Sequence, residues 1–141
     1  ANADDDKFAR ASLVGLKGLT IVLEALPPEV EAVGLQKEQV QTDVELKLRL
    51  AGISVLAEGP TSIYISAIFL TKSEPWAYNL VVELRQNVQT EKGIFLVGVP
   101  TWSIATLCKG GSLNFLKSFR EQLRDLMDIF INAYLSVNPK K

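Results

Sequence analysis

The stretch Trp76-Ala77-Tyr78-Asn79-Leu80-Val81-Val82-Glu83-Leu84-Arg85-Gln86-Asn87-Val88-Gln89-Thr90 decides the fold of this chain. Trp76, Tyr78, Leu80, Val82, Leu84 and Val88 fall on one side of an extended backbone, and Asn79, Glu83, Arg85, Asn87 and Gln89 on the other. A period of two predicts a long strand with one dry and one wet face. Thr61 to Thr71 is rich in β-branched and aromatic residues, and Ser73-Glu74-Pro75 turns it into the long strand. Glu91-Lys92-Gly93 makes the next turn. Ile94 to Leu107 reads as the last strand, bent near Gly98 and Pro100. Three strands joined by short turns predict an antiparallel meander.

Upstream, Leu19 to Leu26 is a strand between Gly18 and Pro27-Pro28. Its outer face is only partly polar (Thr20, Glu24), which places it inside the sheet. Residues Pro27 to Gln36 form a loop with room for one helical turn. Val40, Val44, Leu48 and Ala51 recur at helical spacing over Lys37 to Ala51, and Glu45 and Arg49 pair four apart. Gly52 stops that helix in a left-handed cap, and Ile53 to Ala57 restarts as a short strand.

Downstream, Gly110-Gly111 ends the sheet and Ser112 is the expected N-cap of a long final helix. Leu116, Phe119, Leu123, Leu126, Phe130, Tyr134 and Val137 form one continuous apolar stripe. Asn138-Pro139 terminates it, and Lys140-Lys141 is a solvated tail. The expected fold is therefore α+β. It is a mostly antiparallel five-stranded sheet with two helices packed on one face, in the order β-α-β-β-β-β-α. The 141 residues read as a single domain, with 1–10 a flexible N-terminal segment that includes the solvated acidic run Asp4 to Asp6.

Composition narrows the function. A net charge of −1 argues against a duplex nucleic-acid binder, which needs a basic face. No apolar run approaches the roughly 18 residues of a membrane-spanning helix. There is no histidine, so the commonest general base and metal ligand is missing. The single cysteine, Cys108, makes neither an internal disulfide nor a multi-cysteine zinc site and reads as a packing residue.

No catalytic, cofactor or metal residue is assigned. Glu83, Arg85 and Glu24 read as a solvated sheet face, to be reconsidered if that face is covered. Thr101-Trp102-Ser103 lacks an activating base, Lys109 being the nearest in sequence. Gly110-Gly111-Ser112 opens a helix, but the glycine and lysine pattern of a phosphate loop is missing. Tyr64, Trp76, Tyr78 and Trp102 are the candidate ligand-pocket or surface aromatics, with core packing as the default reading.

The segment Gln41-Thr42-Asp43-Val44-Glu45-Leu46-Lys47-Leu48-Arg49-Leu50-Ala51-Gly52-Ile53 resembles exported bacterial envelope domains. Among these are the amino-terminal domain of the Tol propeller protein and lipoproteins of the curli-secretion type. The closing stretch Phe130-Ile131-Asn132-Ala133-Tyr134-Leu135-Ser136-Val137-Asn138-Pro139 is similar to the end of an uncharacterised exported bacterial α+β family. Together they cover about a fifth of the chain. The resemblance implies a periplasmic or secreted location and a binding or scaffolding role, and it carries no active-site residues across. The chain starts at Ala1 without methionine, so an engineered leader and a removed export signal compete as readings. The expected function is a non-enzymatic interaction domain of the envelope, acting through a strand edge or the open sheet face. Its partner would be another envelope protein or a second copy of itself. The alternative is a binder of a small apolar ligand between the sheet and the long helix.

Overall fold

A computed structural model describes residues 2–140. Ala1 and Lys141, the ends of the expected flexible segment and tail, lie outside the described residues. The elements are β1 (Asn2–Asp4), α1 (Lys7–Ala11), β2 (Gly18–Leu23), α2 (Pro28–Ala32), α3 (Lys37–Leu50), β3 (Ser54–Val55), β4 (Ser62–Leu70), β5 (Trp76–Gln89), β6 (Phe95–Gly110) and α4 (Phe115–Val137). The sheet order is β1-β6-β5-β4-β2-β3.

The α+β prediction and its mostly antiparallel sheet hold. The meander β4–β5–β6 is antiparallel, with Tyr64 opposite Glu83 and Glu83 opposite Ser103. β2 lies inside the sheet between β3 and β4, and both of those pairings are parallel. The cause is α3, because a helical crossover returns the chain in the direction it left. The helix ends where the sequence says. Gly52 has φ +82°, and the amide N–H groups of Gly52 and Ile53 donate back to the carbonyls of Arg49 and Leu48. A side chain at Gly52 would strain that left-handed cap.

Both long helices cover one face. Val40, Val44 and Leu48 of α3 and Phe119, Leu123, Leu126 and Phe130 of α4 are buried with Leu19, Ile63, Leu80, Val82 and Leu84 of the sheet. Two ion pairs tie the helices to each other. Arg120 donates to both carboxylate oxygens of Asp43 at 2.9 and 3.1 Å, and Lys47 meets Asp128 at 2.7 Å. The far end of α4 is held by Asn138, whose Oδ1 accepts from the Gly15 N–H at 2.7 Å while its Nδ2 donates to the Leu13 carbonyl at 2.8 Å.

Three expectations are corrected. The first concerns residues 1–10, expected as a flexible segment with a solvated acidic run. Asn2–Asp4 instead pairs antiparallel with β6, and Asp6 caps α1 by accepting from the Phe8 and Ala9 N–H groups. Asp5 accepts from the Trp102 indole at 2.7 Å and from Arg10 at 2.9 Å, which anchors the segment to the core. The second is Ser112, which does not cap α4. A 3-10 turn at Ser112–Asn114 intervenes, and Ser112 binds the Glu74 carboxylate through its hydroxyl and its amide. The third is the dry face of β5, which ends at Leu84 because register shifts follow at Leu84/Arg85 and Gln86/Val88, leaving Val88 half-exposed.

Candidate functional site

With every helix on one side, the other face of the sheet is left open. On it lie Tyr64, Ser66, Ile68 and Leu70 of β4, Ala77, Asn79, Val81, Glu83 and Arg85 of β5, and Ser103, Ala105, Leu107 and Lys109 of β6. Alternation puts them there, since their neighbours in sequence fill the core. The face is graded from apolar to charged. At one end Ile68, Leu70 and Leu107 are 70%, 67% and 78% exposed, and they border a recess of about 100 Å³. Ile68 and Leu70 on β4 and Leu107 on β6 flank Ala77 and Asn79 of the intervening strand β5, and three large aliphatic side chains around one recess are more than scattered surface apolarity.

The other end is charged and cross-linked. Glu24, Tyr64, Glu83 and Arg85 come together across three strands. The Tyr64 hydroxyl donates to Glu24 at 2.5 Å, and Arg85 donates to Glu83 at 2.9 Å while its guanidinium lies 3.6 Å from the centre of the Tyr64 ring. The bond to Glu24 raises the Tyr64 pKa above its ordinary value. The sequence singled out Glu24, Glu83 and Arg85, and the structure adds Tyr64 as the piece that joins them. Each carboxylate is engaged by a donor, as cross-strand pairing on a sheet surface would have it.

The four candidate aromatics occupy three settings. Tyr64 is on the open face. Tyr78 and Trp102 are buried on the helix side. Trp76 is half-buried there, edge-on to Phe115 at 5.4 Å. Tyr78, Phe69, Phe115 and Phe119 form one aromatic cluster with centroids 5.4 to 6.4 Å apart, and Trp102 meets Phe130 at 5.2 Å. Side chains thus fill the interval between the sheet and α4 around these residues. Burial raises the Tyr78 pKa, and its hydroxyl shares a 2.9 Å hydrogen bond with Ser118.

The remaining sequence candidates sit in structural bonds. The Thr101 hydroxyl accepts from Gln86 at 2.8 Å. The Glu74 carboxylate takes the anion seat at Ser112, so a group from this chain fills the position a phosphate would use. Cys108 is half-buried against the core. A polar cleft of about 350 Å³ lies between α3 and β2, and the Glu45–Arg49 pair, 2.7 Å apart, forms part of its wall. Among the described residues no group of three or more acidic or cysteine side chains could hold a metal ion, and no helix is long and apolar enough to cross a membrane.

Asp5 gives the stability a pH signature. The hydrogen bond from Arg10 holds its carboxyl below the ordinary range; burial opposes this, and the Trp102 indole adds to it. A carboxyl whose folded pKa is depressed stabilises the fold fully above its unfolded value of about 3.9, and the contribution is lost as pH falls through the lower folded value. Asp5→Asn should therefore flatten the dependence of melting temperature on pH below about 4. Thermal melts of both proteins from neutral pH downward check this, and parallel curves would remove Asp5 as the source.

One feature has no counterpart in the sequence reading. β4 pairs with β5 no further than Arg85, and β1 pairs with β6 only at Ser103 to Ala105. Beyond those points β5 and β6 continue as a two-stranded arm. Its apolar residues Ile94, Phe95, Leu96 and Val97 are 55%, 63%, 41% and 74% exposed. The four consecutive apolar residues were the available signal, but a strand prediction does not reveal how many neighbours the strand has.

No protein-family profile and no curated protein matches the chain. Among solved structures it is similar to a minor lipoprotein from Acinetobacter baumannii, at 13% identity and a TM-score of 0.45, over 87% of this chain and 93% of that one. It is also similar to a dodecameric PelC from Paraburkholderia phytofirmans, at 14% identity and a TM-score of 0.43, over 86% of this chain and 85% of that one.

Proposed function

We propose that this chain is a non-enzymatic interaction or scaffolding domain of the bacterial cell envelope, exported to the periplasm or secreted, whose contact surface is the open face of the sheet. The observation that carries the reading is the exposure of Ile68 and Leu70 on β4 and of Leu107 on β6, on either side of β5 on one sheet face. Burying one such side chain contributes about 1.5–3 kcal/mol, so a partner covering all three gains a binding core. The charged end beside it supplies the polar rim that fixes orientation. The bonds already made by Glu24, Glu83, Thr101 and Ser112 favour binding over catalysis. The resemblance of the α3–β3 unit to envelope domains supports the location.

A photo-reactive residue placed at Ile68 or Leu107, in the bacterium that makes the protein, should give a discrete adduct with a second envelope protein. The same residue at Lys117, exposed on α4, should not. No adduct from the two sheet positions, or an equal one from the helix position, would remove the open face as the contact surface.

A further inference from the structure

We infer that the β5–β6 arm is a self-association device, pairing edge to edge with the arm of a second copy of this chain. The inference uses a different surface from the open face and does not depend on the envelope reading. A two-stranded ribbon by itself is marginally stable in water, and this one also carries two register shifts and a bent residue, Gly98, at φ +66°. Among the described residues, no strand pairs with the outer edge of Phe95 to Pro100. The arm therefore presents unpaired backbone groups together with exposed Phe95, Leu96 and Val97.

The occupant has to satisfy both features. A lipid surface would cover the apolar side chains but leave the edge amides and carbonyls without partners. A strand covers both. Charge then favours a second copy. Exposed edges are normally guarded by lysine or other charges. Here no charged residue occurs from Gly93 to Cys108, and Pro100 is the one edge-blocking residue in that run. Two such edges meet without like-charge repulsion, and a chain of net charge −1 does little to hold its copies apart. Pairing two arms converts two marginal ribbons into one four-stranded sheet, with a twofold axis relating the two copies.

Sedimentation of the full chain over a dilution series should show reversible dimers of twice the 15.5 kDa chain mass. Val97→Lys and Phe95→Lys each place like charges at the joint and should weaken dimerisation by about tenfold or more. Both positions are exposed, so an unchanged melting temperature at low concentration shows that the fold is intact. Amide exchange locates the joint, with protection rising with concentration across residues 95–100. A chain that stays monomeric at the highest concentration reached would overturn the inference. So would dimers that persist in both lysine variants, or protection that rises on the open face and not in the arm.

Discussion

Phe130→Ala should lower the unfolding free energy by about 3–5 kcal/mol, the ordinary cost of emptying a buried aromatic site. Phe130 has no exposed surface and stands edge-on to Trp102 at a centroid distance of 5.2 Å. Two terms add. The ring's transfer free energy is lost, and a cavity opens between α4 and β6 that neither rigid element can close. An aromatic pair in this geometry contributes a further 0.5–1.5 kcal/mol or so beyond its area. For a domain with an ordinary stability of about 5–15 kcal/mol the loss is a large fraction of the whole. Denaturant titration should show a lower midpoint at an unchanged slope. A midpoint equal to that of the parent would mean that Phe130 does not hold α4 to the sheet.

Leu48→Ala on α3 should cost about 2–5 kcal/mol, whereas Leu46→Ala, two residues away, should change stability by no more than about 0.5 kcal/mol. Leu48 is fully buried and Leu46 is 57% exposed. Identical chemistry at both positions isolates burial as the cause, because leucine and alanine are both strong helix formers and differ little in propensity. The comparison also tests which face of α3 meets the sheet. Equal losses at both sites would require the helix to be rotated from its position here.

The strands and helices were largely legible because their signals are local. The alternation from Trp76 to Leu84 reports one buried face whatever lies on the other side. Gly52 needs no tertiary partner to end α3, since its left-handed backbone and the two return hydrogen bonds are formed within the last turn. Errors appeared where a distant residue competed for a local group. Ser112 has the right chemistry for a cap, yet Glu74, brought alongside by the turn between β4 and β5, takes its hydroxyl and amide. The acidic residues near the start read as solvated because nothing nearby in sequence engages them. The Trp102 indole that binds Asp5 is 97 residues away.

The candidate surface was legible in outline. Glu24, Glu83 and Arg85 were identifiable as residues of one sheet face from alternation alone, while Tyr64 entered their cluster only through the register that sets it opposite Glu83. The sequence by itself determined the α+β class, the mainly antiparallel sheet, the two long helices and the identity of most core residues. These follow from periodicity and from turn and cap chemistry within short windows. Only the tertiary structure decided that Ile68, Leu70 and Leu107 form one exposed group. It alone also showed that β5 and β6 run on beyond their neighbours, and that Asp5 anchors the first residues to Trp102. Alternation assigns a side chain to a face, but only the packing of helices against the other face and the register between strands determine whether that face is covered and where each edge stops.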